Sequence, residues 1–402
     1  MKKRIWVILA VIFFTLSVIA LYILWLIQES KYSSKEKDEY YENYWKDFPF
    51  FEPLDTAVIL GFHSKHYEIR ESELSYEPYP SDKYSTPYSD SIYSIFYSND
   101  YDWAGIEIDK ITILKYEKKD SIEAFIYESY EYENFSFSGE PPGIWIAYTE
   151  NNGEKWNYYY TGITQKQPVF VKFYSQRPLI KEKGKLEIDA CLLRQLSNFS
   201  HPVSMVSYEC VKDGIYLIFN MNVIEKDSDG DGLTDIVEDR FFTDKYSEDT
   251  DGDGILDNLD MSPRVSYPRT QKSKIYETIL NGDIGNKFMD WDFGRLFYKG
   301  NDTIHYFTDS IETVIIVTDD KDLMGIQPKN YRVIFMTTEE YKNNVKFYNS
   351  ILNRIYFSPL FKVDGKRNIY LFSCSIGNRN DNYLVQKMII GWRVKVLSMA
   401  IS

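Results

Sequence analysis

The sequence predicts a protein of the α+β, mainly β class, with an amino-terminal membrane helix and an acidic, helix-poor spacer between two folded domains. Three observations predict this architecture. Short runs with apolar residues at every second position recur after residue 50, and turn-forming residues separate them. An uncharged apolar run occupies residues 5–27, and a repeated acidic pattern occupies residues 227–260. We therefore divide the chain into a membrane segment at 1–29, a stalk at 30–48, a β-rich domain at 49–224, a spacer at 225–264 and an α+β domain at 265–402.

The amino terminus has the composition of a transmembrane helix. Three basic residues at positions 2–4 precede residues 5–27, which contain no charged residue and no proline. As a helix this run would be roughly 35 Å long, enough to cross the hydrocarbon core of a membrane. The basic cluster keeps the amino terminus in the cytoplasm, so an uncleaved signal anchor would hold the remaining chain outside it, in the periplasm or at the cell surface. A cleaved signal peptide, with Val18 and Ala20 as its small residues, is the alternative and would give a secreted protein.

The stalk at 30–48 is rich in charged residues and precedes a Tyr-rich, antiparallel β domain at 49–224. Aromatic residues make up 17% of the chain and include 35 tyrosines. Exposed tyrosines bind protein or glycan surfaces, whereas buried ones fill β-sheets, and both uses remain open. The expected strands are the alternating runs TAVILGF, GIEIDKITILKY, SIEAFIYESYEY, GIWIAYT, WNYYYTGI, PVFVKFYS, KLEIDACLL and GIYLIFNMNV.

A turn motif within this domain lies at residues 149–156. Thr149, Asn151, Gly153 and Trp156 have the spacing S/T-x-D-x-G-x-x-W, with Asn in place of Asp. The segment resembles an Asp-box turn, a β-hairpin found in sialidases and other propeller proteins. An Asx side chain and a glycine close such a turn, and the Trp packs beneath it. A propeller would repeat the motif at blade-length spacing. The sequence contains it once, so we expect one hairpin turn and infer no sialidase activity.

Residues 227–238 and 249–260 form two twelve-residue acidic loops with the same pattern. Each has carboxylates at positions 1, 3, 5, 9 and 12, a glycine at position 6 (Gly232, Gly254) and a backbone carbonyl at position 7. Ca²⁺ takes six to eight oxygen ligands, and alternating Asp residues around a sharp glycine turn supply them. The candidate ligands are Asp227, Asp229, Asp231, Leu233 (carbonyl), Asp235 and Glu238 in the first loop, and Asp249, Asp251, Asp253, Ile255 (carbonyl), Asp257 and Asp260 in the second.

The type of loop follows from its neighbours. An EF-hand needs a helix on each side, whereas residues 215–223 alternate like a strand and the link between the loops is too short for two helices. Residues 227–263, with Thr243-Asp244 ahead of the second loop, resemble a bacterial thrombospondin type 3 repeat pair. The resemblance implies a helix-poor cassette that binds Ca²⁺ through the acidic side chains named above. At position 12 the second loop has Asp260 where the first has Glu238, and the shorter arm reaches less far toward an ion.

The last third of the chain, residues 265–402, predicts an α+β domain with an antiparallel sheet. Residues 267–282 are predicted as a helix, 312–320 as a buried strand and 331–336 as a further strand. Thr337 and Glu340 form a capping box that opens a helix extending to Ile355. Strands RIYFSPLFKV, NIYLFSCSI, NYLVQKMII and GWRVKVLSM follow, joined by short polar turns.

Charge and motif content limit the function classes. The net charge of −14 argues against a nucleic-acid partner, and the sequence has no basic stripe. It also has no nucleophile-elbow, zinc-protease, phosphate-loop or dinucleotide motif. His63 and His66 have the spacing of a metal pair, but two neutral ligands alone make a poor site. For Cys191 and Cys210, a disulfide and two free thiols are equal alternatives.

Together these features predict a membrane-anchored, extracytoplasmic calcium-binding protein. Ca²⁺ would rigidify the spacer at 225–264 and fix the flanking domains, whose expected task is recognition of a protein or glycan at the cell envelope. A carbohydrate-active hydrolase of the cell envelope, with the β-rich region as its catalytic domain, is the alternative. It would require two close carboxylates in an aromatic-lined cleft. A purely structural scaffold is the third interpretation and would have no pocket of ligand size.

Overall fold

Three β-sheets contain most of the regular secondary structure of the described residues in this computed structural model. The structure describes residues 53–73, 111–129, 143–164, 167–172, 175–196, 208–280, 312–329, 331–344, 354–376, 379–388 and 392–401, together with Lys35, Lys37 and Glu39. Within these residues no helix is both long and apolar enough to cross a membrane. The expected membrane helix at 5–27 and most of the stalk lie outside the described residues. The described part is mostly β, with antiparallel pairing predominant and few helices, as the sequence predicts.

The first sheet has five antiparallel strands. Its order is β1 (Glu68–Glu71), β9 (Tyr208–Asn220), β8 (Lys185–Gln195) and β6 (Val169–Val171), with β7 (Ile180–Glu182) also paired to β8. Alternate residues of β8, such as Leu186 and Ile188, are fully buried in the apolar core. The intervening Glu187 and Asp189 are also buried, and Arg177 forms an ion pair of 3.2 Å with each carboxylate.

The second sheet is an antiparallel meander of four strands. It contains β2 (Ile111–Lys119), β3 (Ile122–Ser129), β4 (Gly143–Thr149) and β5 (Asn157–Thr164), in that order. All seven residues of β4 are buried, so both faces of this strand are covered. The rings of Phe125 and Trp145 each pack against Tyr127, with centroids 5.4 and 6.5 Å from it. These aromatic residues therefore serve as strand filling, one of the two uses that the composition leaves open.

One apolar core joins these two sheets. Phe125 and Trp145 of the second sheet belong to the same cluster of buried side chains as Leu217 and Phe219 of the first. The cluster continues into the acidic spacer, where Ile236 is 1% exposed. Burying this much apolar surface is the main favourable contribution to the stability of the β region.

The helices with described bounds are short. They are α1 (Thr56–Leu60), α2 (Met221–Ile224), α3 (Asp235–Phe241), α4 (Gln271–Leu280), α5 (Lys321–Met324) and α6 (Thr338–Asn344). Helix α4 lies within the segment 267–282 for which the sequence predicts a helix.

The prediction of a strand for TAVILGF is wrong, because this segment forms α1. Asp55 caps the helix through a 2.7 Å hydrogen bond from the backbone N–H of Ala57 to its side chain. Gly61 ends it after little more than one turn. Only Ile59 is buried, while Val58 and Leu60 are exposed. The secondary structure of this apolar run is thus determined by its capping residues and not by the alternation of apolar residues.

The segment 149–156 forms a β-hairpin turn between β4 and β5. The side chain of Asn151 accepts hydrogen bonds from the Thr149 hydroxyl (2.6 Å) and from the backbone N–H of Lys155 (3.1 Å). Gly153 has a φ of +82°, which glycine adopts without strain. Trp156 packs against Phe125 with 5.4 Å between ring centroids. The hairpin interpretation of this motif is therefore confirmed.

The third sheet contains the carboxyl-terminal strands. Its order is β11 (Tyr331–Met336), β10 (Glu312–Val317), β12 (Arg354–Phe357), β14 (Ile369–Ile376), β15 (Arg379–Lys387) and β16 (Trp392–Ile401), with β13 (Phe361–Lys362) paired to β14. Among the described strands, β11 lies at one edge of this sheet.

The third sheet is mixed, which corrects the prediction of an antiparallel sheet. Strand β10 pairs in parallel with both β11 and β12, whereas β12, β14, β15 and β16 pair antiparallel. Helix α5 lies between β10 and β11, and α6 lies between β11 and β12. A parallel pair needs such a crossover connection, whereas a short turn suffices for an antiparallel pair.

The capping box at Thr337 is confirmed. The hydroxyl of Thr337 accepts a 3.1 Å hydrogen bond from the backbone N–H of Glu340, and the carboxylate of Glu340 accepts a 2.8 Å hydrogen bond from the backbone N–H of Thr337. Helix α6 is described as far as Asn344. Arg354 and Ile355, which the helical spacing includes, belong to β12 and not to the helix.

Cys191 and Cys210 are free thiols in the structure, the first buried and the second exposed. They lie on the paired strands β8 and β9, and their side chains form a hydrogen bond with each other. Burial raises the pKa of the Cys191 thiol to about 12, so this group is a weak nucleophile.

Replacing Phe125 by Ala should lower the free energy of unfolding by about 3–5 kcal/mol, because the side chain is 1% exposed and its removal leaves a cavity. Val58→Ala, at a position that is 46% exposed, is the control and should change it by less than about 0.5 kcal/mol. Urea denaturation followed by circular dichroism measures both values. Equal effects of the two substitutions would contradict the assignment of Phe125 to the core.

Candidate metal centre

The first acidic loop closes on itself through the side chain of Asp227. This carboxylate accepts hydrogen bonds from the backbone N–H groups of Gly230 (2.7 Å) and Gly232 (3.0 Å). Both glycines have positive φ, of 87° and 100°. A residue with a side chain would be strained in this backbone conformation. Within this turn, carboxylate oxygens of Asp227, Asp229 and Asp231 all lie within 4.8 Å of one another. The three carboxylates could therefore hold a metal ion.

The second loop repeats this geometry. The carboxylate of Asp249 accepts hydrogen bonds of 2.8 Å from the backbone N–H groups of both Gly252 and Gly254. Carboxylate oxygens of Asp249, Asp251 and Asp253 again lie within 4.8 Å of one another. This triplet is more exposed than the first, in which Asp231 is buried. The same sequence pattern thus gives the same backbone turn twice.

In each loop the carboxylate at position 9 accepts a hydrogen bond from the hydroxyl at position 2. Asp235 accepts a 2.9 Å hydrogen bond from the hydroxyl of Ser228, and Asp257 accepts one of 2.6 Å from the hydroxyl of Thr250. Lys226 donates a further 3.2 Å bond to Asp235. These bonds leave the second oxygen of Asp235, Oδ1, buried and without a hydrogen-bond partner among the described residues.

Buried oxygens without partners mark the first loop as incomplete by itself. Among the described residues, no donor reaches Asp229 Oδ2, Asp235 Oδ1 or Glu238 Oε2, although each atom is buried. The side chain of Glu238 is 0% exposed. An unpaired carboxylate in the interior costs several kcal/mol unless a charge balances it. A cation at this position would supply that charge, so the donor set fits a hard metal ion.

The pKa values of these carboxyls reflect their crowding. Burial, and then the charges of Asp229 and Asp231, raise the pKa of Glu238 to about 8. Burial likewise raises the pKa of Asp231 and of Asp251 to about 6. For Asp235 burial acts in the same direction, but hydrogen bonds from Ser228 and Lys226 outweigh it and lower the pKa. Without a cation, part of the negative charge would be neutralised by protons.

The position-12 residues lie with the loops that they are expected to complete. Glu238 projects from α3 toward Asp229 and Asp231, whose charges act on it. Asp260 is 6% exposed, and burial followed by the charges of Asp253 and Asp257 raises its pKa. At position 7, Leu233 is buried while Ile255 is 45% exposed. The backbone N–H of each donates to the position-5 Asp, at 2.7 and 2.9 Å.

Sequence reasoning missed Asn258. It stands at position 10 of the second loop, which is not one of the ligand positions, yet its backbone N–H donates a 3.0 Å hydrogen bond to Asp231 of the first loop. Its side-chain oxygen is buried and has no hydrogen-bond partner among the described residues. No feature of either loop pattern indicates this contact, because it depends on how the two loops pack together.

The cassette also contains a helix, α3, that the sequence analysis does not predict. Helix α3 begins at Asp235, position 9 of the first loop, and its Ile236, Val237 and Phe241 are buried. It packs on β5, where a Cβ atom added to Gly162 would lie 3.3 Å from Ile236 Cγ2. Strand β9 precedes the first loop, with the single turn of α2 between them. The flanks therefore differ from those of an EF-hand, as the sequence predicts.

The HSKH segment contacts the cassette through Lys65 and His66. Asp239 of α3 lies 2.7 Å from Lys65 Nζ and 3.3 Å from His66 Nε2. The Nδ1 atom of His63 lies 3.2 Å from the carbonyl oxygen of Gly61. The two imidazole rings thus have separate partners. Burial lowers the pKa of His66 although Asp239 acts in the opposite direction.

The second loop attaches to the edge of the third sheet. Arg332 of β11 is 0% exposed and donates hydrogen bonds to the backbone carbonyls of Asp260 (2.9 Å) and Asn258 (2.5 Å). The backbone N–H of Val333 donates a 2.7 Å bond to the carbonyl of Met261. The guanidinium of Arg332 also lies 5.3 Å from the ring of Phe241 in α3. One arginine thus joins the acidic segment to β11.

Comparisons with known proteins give no relative. No protein-family model matches the chain, and searches of curated proteins and of solved structures find no match.

Without divalent cations, the protein should be less stable at pH 9 than at pH 5. Glu238 has an ordinary pKa of 4.5 and a folded-state pKa of about 8, so the folded state holds a proton that the unfolded chain releases. Its contribution to stability is fully present below pH 4.5 and is lost as the pH rises through 8. Thermal unfolding in EDTA across this range measures the effect.

Glu238→Gln is the control for this prediction, because the amide does not titrate. It should flatten the pH dependence between about pH 6 and pH 8, above the pKa of about 6 of Asp231 and Asp251. A wild-type protein whose stability in EDTA increases from pH 5 to pH 9 would contradict the buried position of Glu238.

Proposed function

We propose that this protein is a membrane-anchored, extracytoplasmic calcium-binding protein. In it, Ca²⁺ rigidifies the spacer at 225–264 and thereby fixes two flanking parts of the chain relative to one another. Those parts recognise a protein or glycan at the cell envelope.

The observation that carries this proposal is the set of buried carboxylate oxygens without partners at the first loop. One short segment contains three such carboxylate oxygens that could act as metal ligands: Asp229 Oδ2, Asp235 Oδ1 and Glu238 Oε2. Ca²⁺ prefers six to eight oxygen ligands in a flexible arrangement. Zn²⁺ prefers His and Cys ligands, and Mg²⁺ keeps several waters in a strict octahedral shell. A carboxylate-rich loop therefore favours Ca²⁺ over either.

The mechanism is electrostatic. In the absence of a cation, the carboxylates of Asp229, Asp231 and Glu238 repel one another, and the pKa values of Asp231 and Glu238 are raised. Bound Ca²⁺ replaces this repulsion by attraction to a common centre, which fixes the loop backbone. Because α3 packs on β5 and the second loop bonds to β11, an ordered cassette supports both neighbouring sheets.

The proposed location suits this chemistry. Calcium modules of extracellular proteins bind with dissociation constants on the order of 10⁻⁴ to 10⁻³ M, which external Ca²⁺ can satisfy. The apolar run at 5–27, preceded by basic residues, supports a membrane anchor with the acidic part outside the cytoplasm. Calcium in this setting acts as a structural component and not as a signal.

One close pair of carboxylates in the β-rich region is unsuited to carbohydrate hydrolysis. Glu187 and Asp189 are two carboxylates near one another in the β-rich region, but they are 5% and 0% exposed. Both are paired with Arg177, whose guanidinium also lies 3.7 Å from the ring centroid of Tyr216. This buried pair is in no position to receive a sugar, so it supplies neither the acid nor the base that a hydrolase needs.

Limited proteolysis tests the calcium spacer. With residues 30–402 as the soluble protein, removal of Ca²⁺ by chelator should make the segment between about 225 and 262 sensitive to protease, because the repelling loops open locally. In millimolar Ca²⁺ the same sites should be protected by at least about tenfold in cleavage rate. Mass spectrometry of the fragments locates the cuts.

The variant pair Asp229→Asn with Asp251→Asn should be cleaved at these sites even in Ca²⁺, since each loop then lacks a carboxylate of its triplet. Glu248→Gln is the matched control, because this acidic residue is exposed, lies in the same segment and is not a candidate ligand. Equal resistance of the wild type with Ca²⁺ and with chelator would refute the proposal.

A further inference from the structure

The two loops pack against each other at Asn258. Its backbone N–H donates a 3.0 Å hydrogen bond to Asp231 Oδ2, across 27 positions of sequence. Its side-chain Nδ2 lies 3.1 Å from the place where a Cβ atom on Gly232 would stand. Asn258 therefore lies directly against positions 5 and 6 of the first loop, although it belongs to the second.

The side-chain amide oxygen of Asn258, like several carboxylate oxygens of the first loop, is buried without a hydrogen-bond partner among the described residues. Oδ1 is buried and accepts no hydrogen bond from the described residues, a property it shares with Asp229 Oδ2, Asp235 Oδ1 and Glu238 Oε2. Leaving a buried carbonyl oxygen without a partner is energetically unfavourable. Side-chain amide oxygens are ordinary ligands of Ca²⁺, so one cation would satisfy the amide together with the carboxylates.

The neighbouring Asp257 is less suited to this role. It is 1% exposed, but its two oxygens already accept hydrogen bonds from the backbone N–H (2.9 Å) and the hydroxyl (2.6 Å) of Thr250. These bonds fix the second loop and hold residue 258 in register with the first. Leu259, the next residue, is 61% exposed and has no oxygen in its side chain.

We propose that Asn258 Oδ1 of the second loop is a ligand of the ion bound by the first loop. The inference rests on the proposed function, because it requires that the first loop binds Ca²⁺. The first site is then complete only when the second loop is folded against it. Since an ion in the second loop stabilises that fold, occupation of the two loops is positively cooperative.

Calcium titration of wild type and variants tests the assignment. In isothermal titration calorimetry, the wild type should bind two ions with a Hill coefficient above one. Asn258→Ala should weaken one of the two binding events by about ten- to hundredfold, as loss of an oriented metal-site group does. Asn258→Asp keeps an oxygen at this position and should bind at least as tightly as the wild type.

A double-mutant cycle identifies which ion is affected. Asn258→Ala and Glu238→Gln act on the same ion, so their effects on affinity should be less than additive. Leu259→Ala, the matched control on the second loop, should leave both binding events within about twofold of the wild type. Circular dichroism at saturating Ca²⁺ verifies that each variant is folded.

Three results would overturn the inference. They are unchanged affinity in Asn258→Ala, full additivity with Glu238→Gln, and weakened binding in Asn258→Asp, which would assign the role to the amide N–H group and not to the oxygen. A wild type that binds no Ca²⁺ would instead refute the proposed function itself. The two failures are therefore distinguishable in one set of titrations.

Discussion

Crowding of negative charge inside residues 227–260 is the constraint on which the rest of the structure depends. Asp231, Glu238 and Asp257 are all buried in this short segment, and their charge must be balanced by protons or by a cation. The same segment contacts β5 through α3 and β11 through its backbone carbonyls. The buried charge therefore lies in a segment that contacts two of the sheets.

The features that the sequence predicts correctly are those whose cause is local. Each acidic turn is made by bonds within one loop, such as those from Gly230 and Gly232 to Asp227, so spacing alone indicates the turn and the carboxylate triplet. The capping box at Thr337 and Glu340 spans four residues and is equally visible in the sequence. Alternation likewise marks most strands, because it records which face of a strand is buried.

The features that the sequence does not predict depend on contacts between distant residues or on competing local signals. Asn258 meets Asp231 across 27 positions and Arg332 reaches the carbonyl of Asn258 across 74, and no pattern within either segment encodes such a meeting. Strand β10 pairs in parallel with β11 and β12. Such pairing depends on how the connecting segments pack in three dimensions, which no local sequence pattern encodes. In α1, the cap at Asp55 outweighs an apolar run that also suits a strand.

The position of β11 at a sheet edge has a consequence for self-association of the protein. Edge strands expose backbone groups to which another chain can add, and this is a common origin of aggregation. Here Met261 accepts the N–H of Val333, so the acidic segment covers part of that edge. Its negative charge also repels a second copy. On the proposed function, removal of Ca²⁺ would loosen this cover and expose the backbone groups of β11, to which a strand of a second molecule could then add.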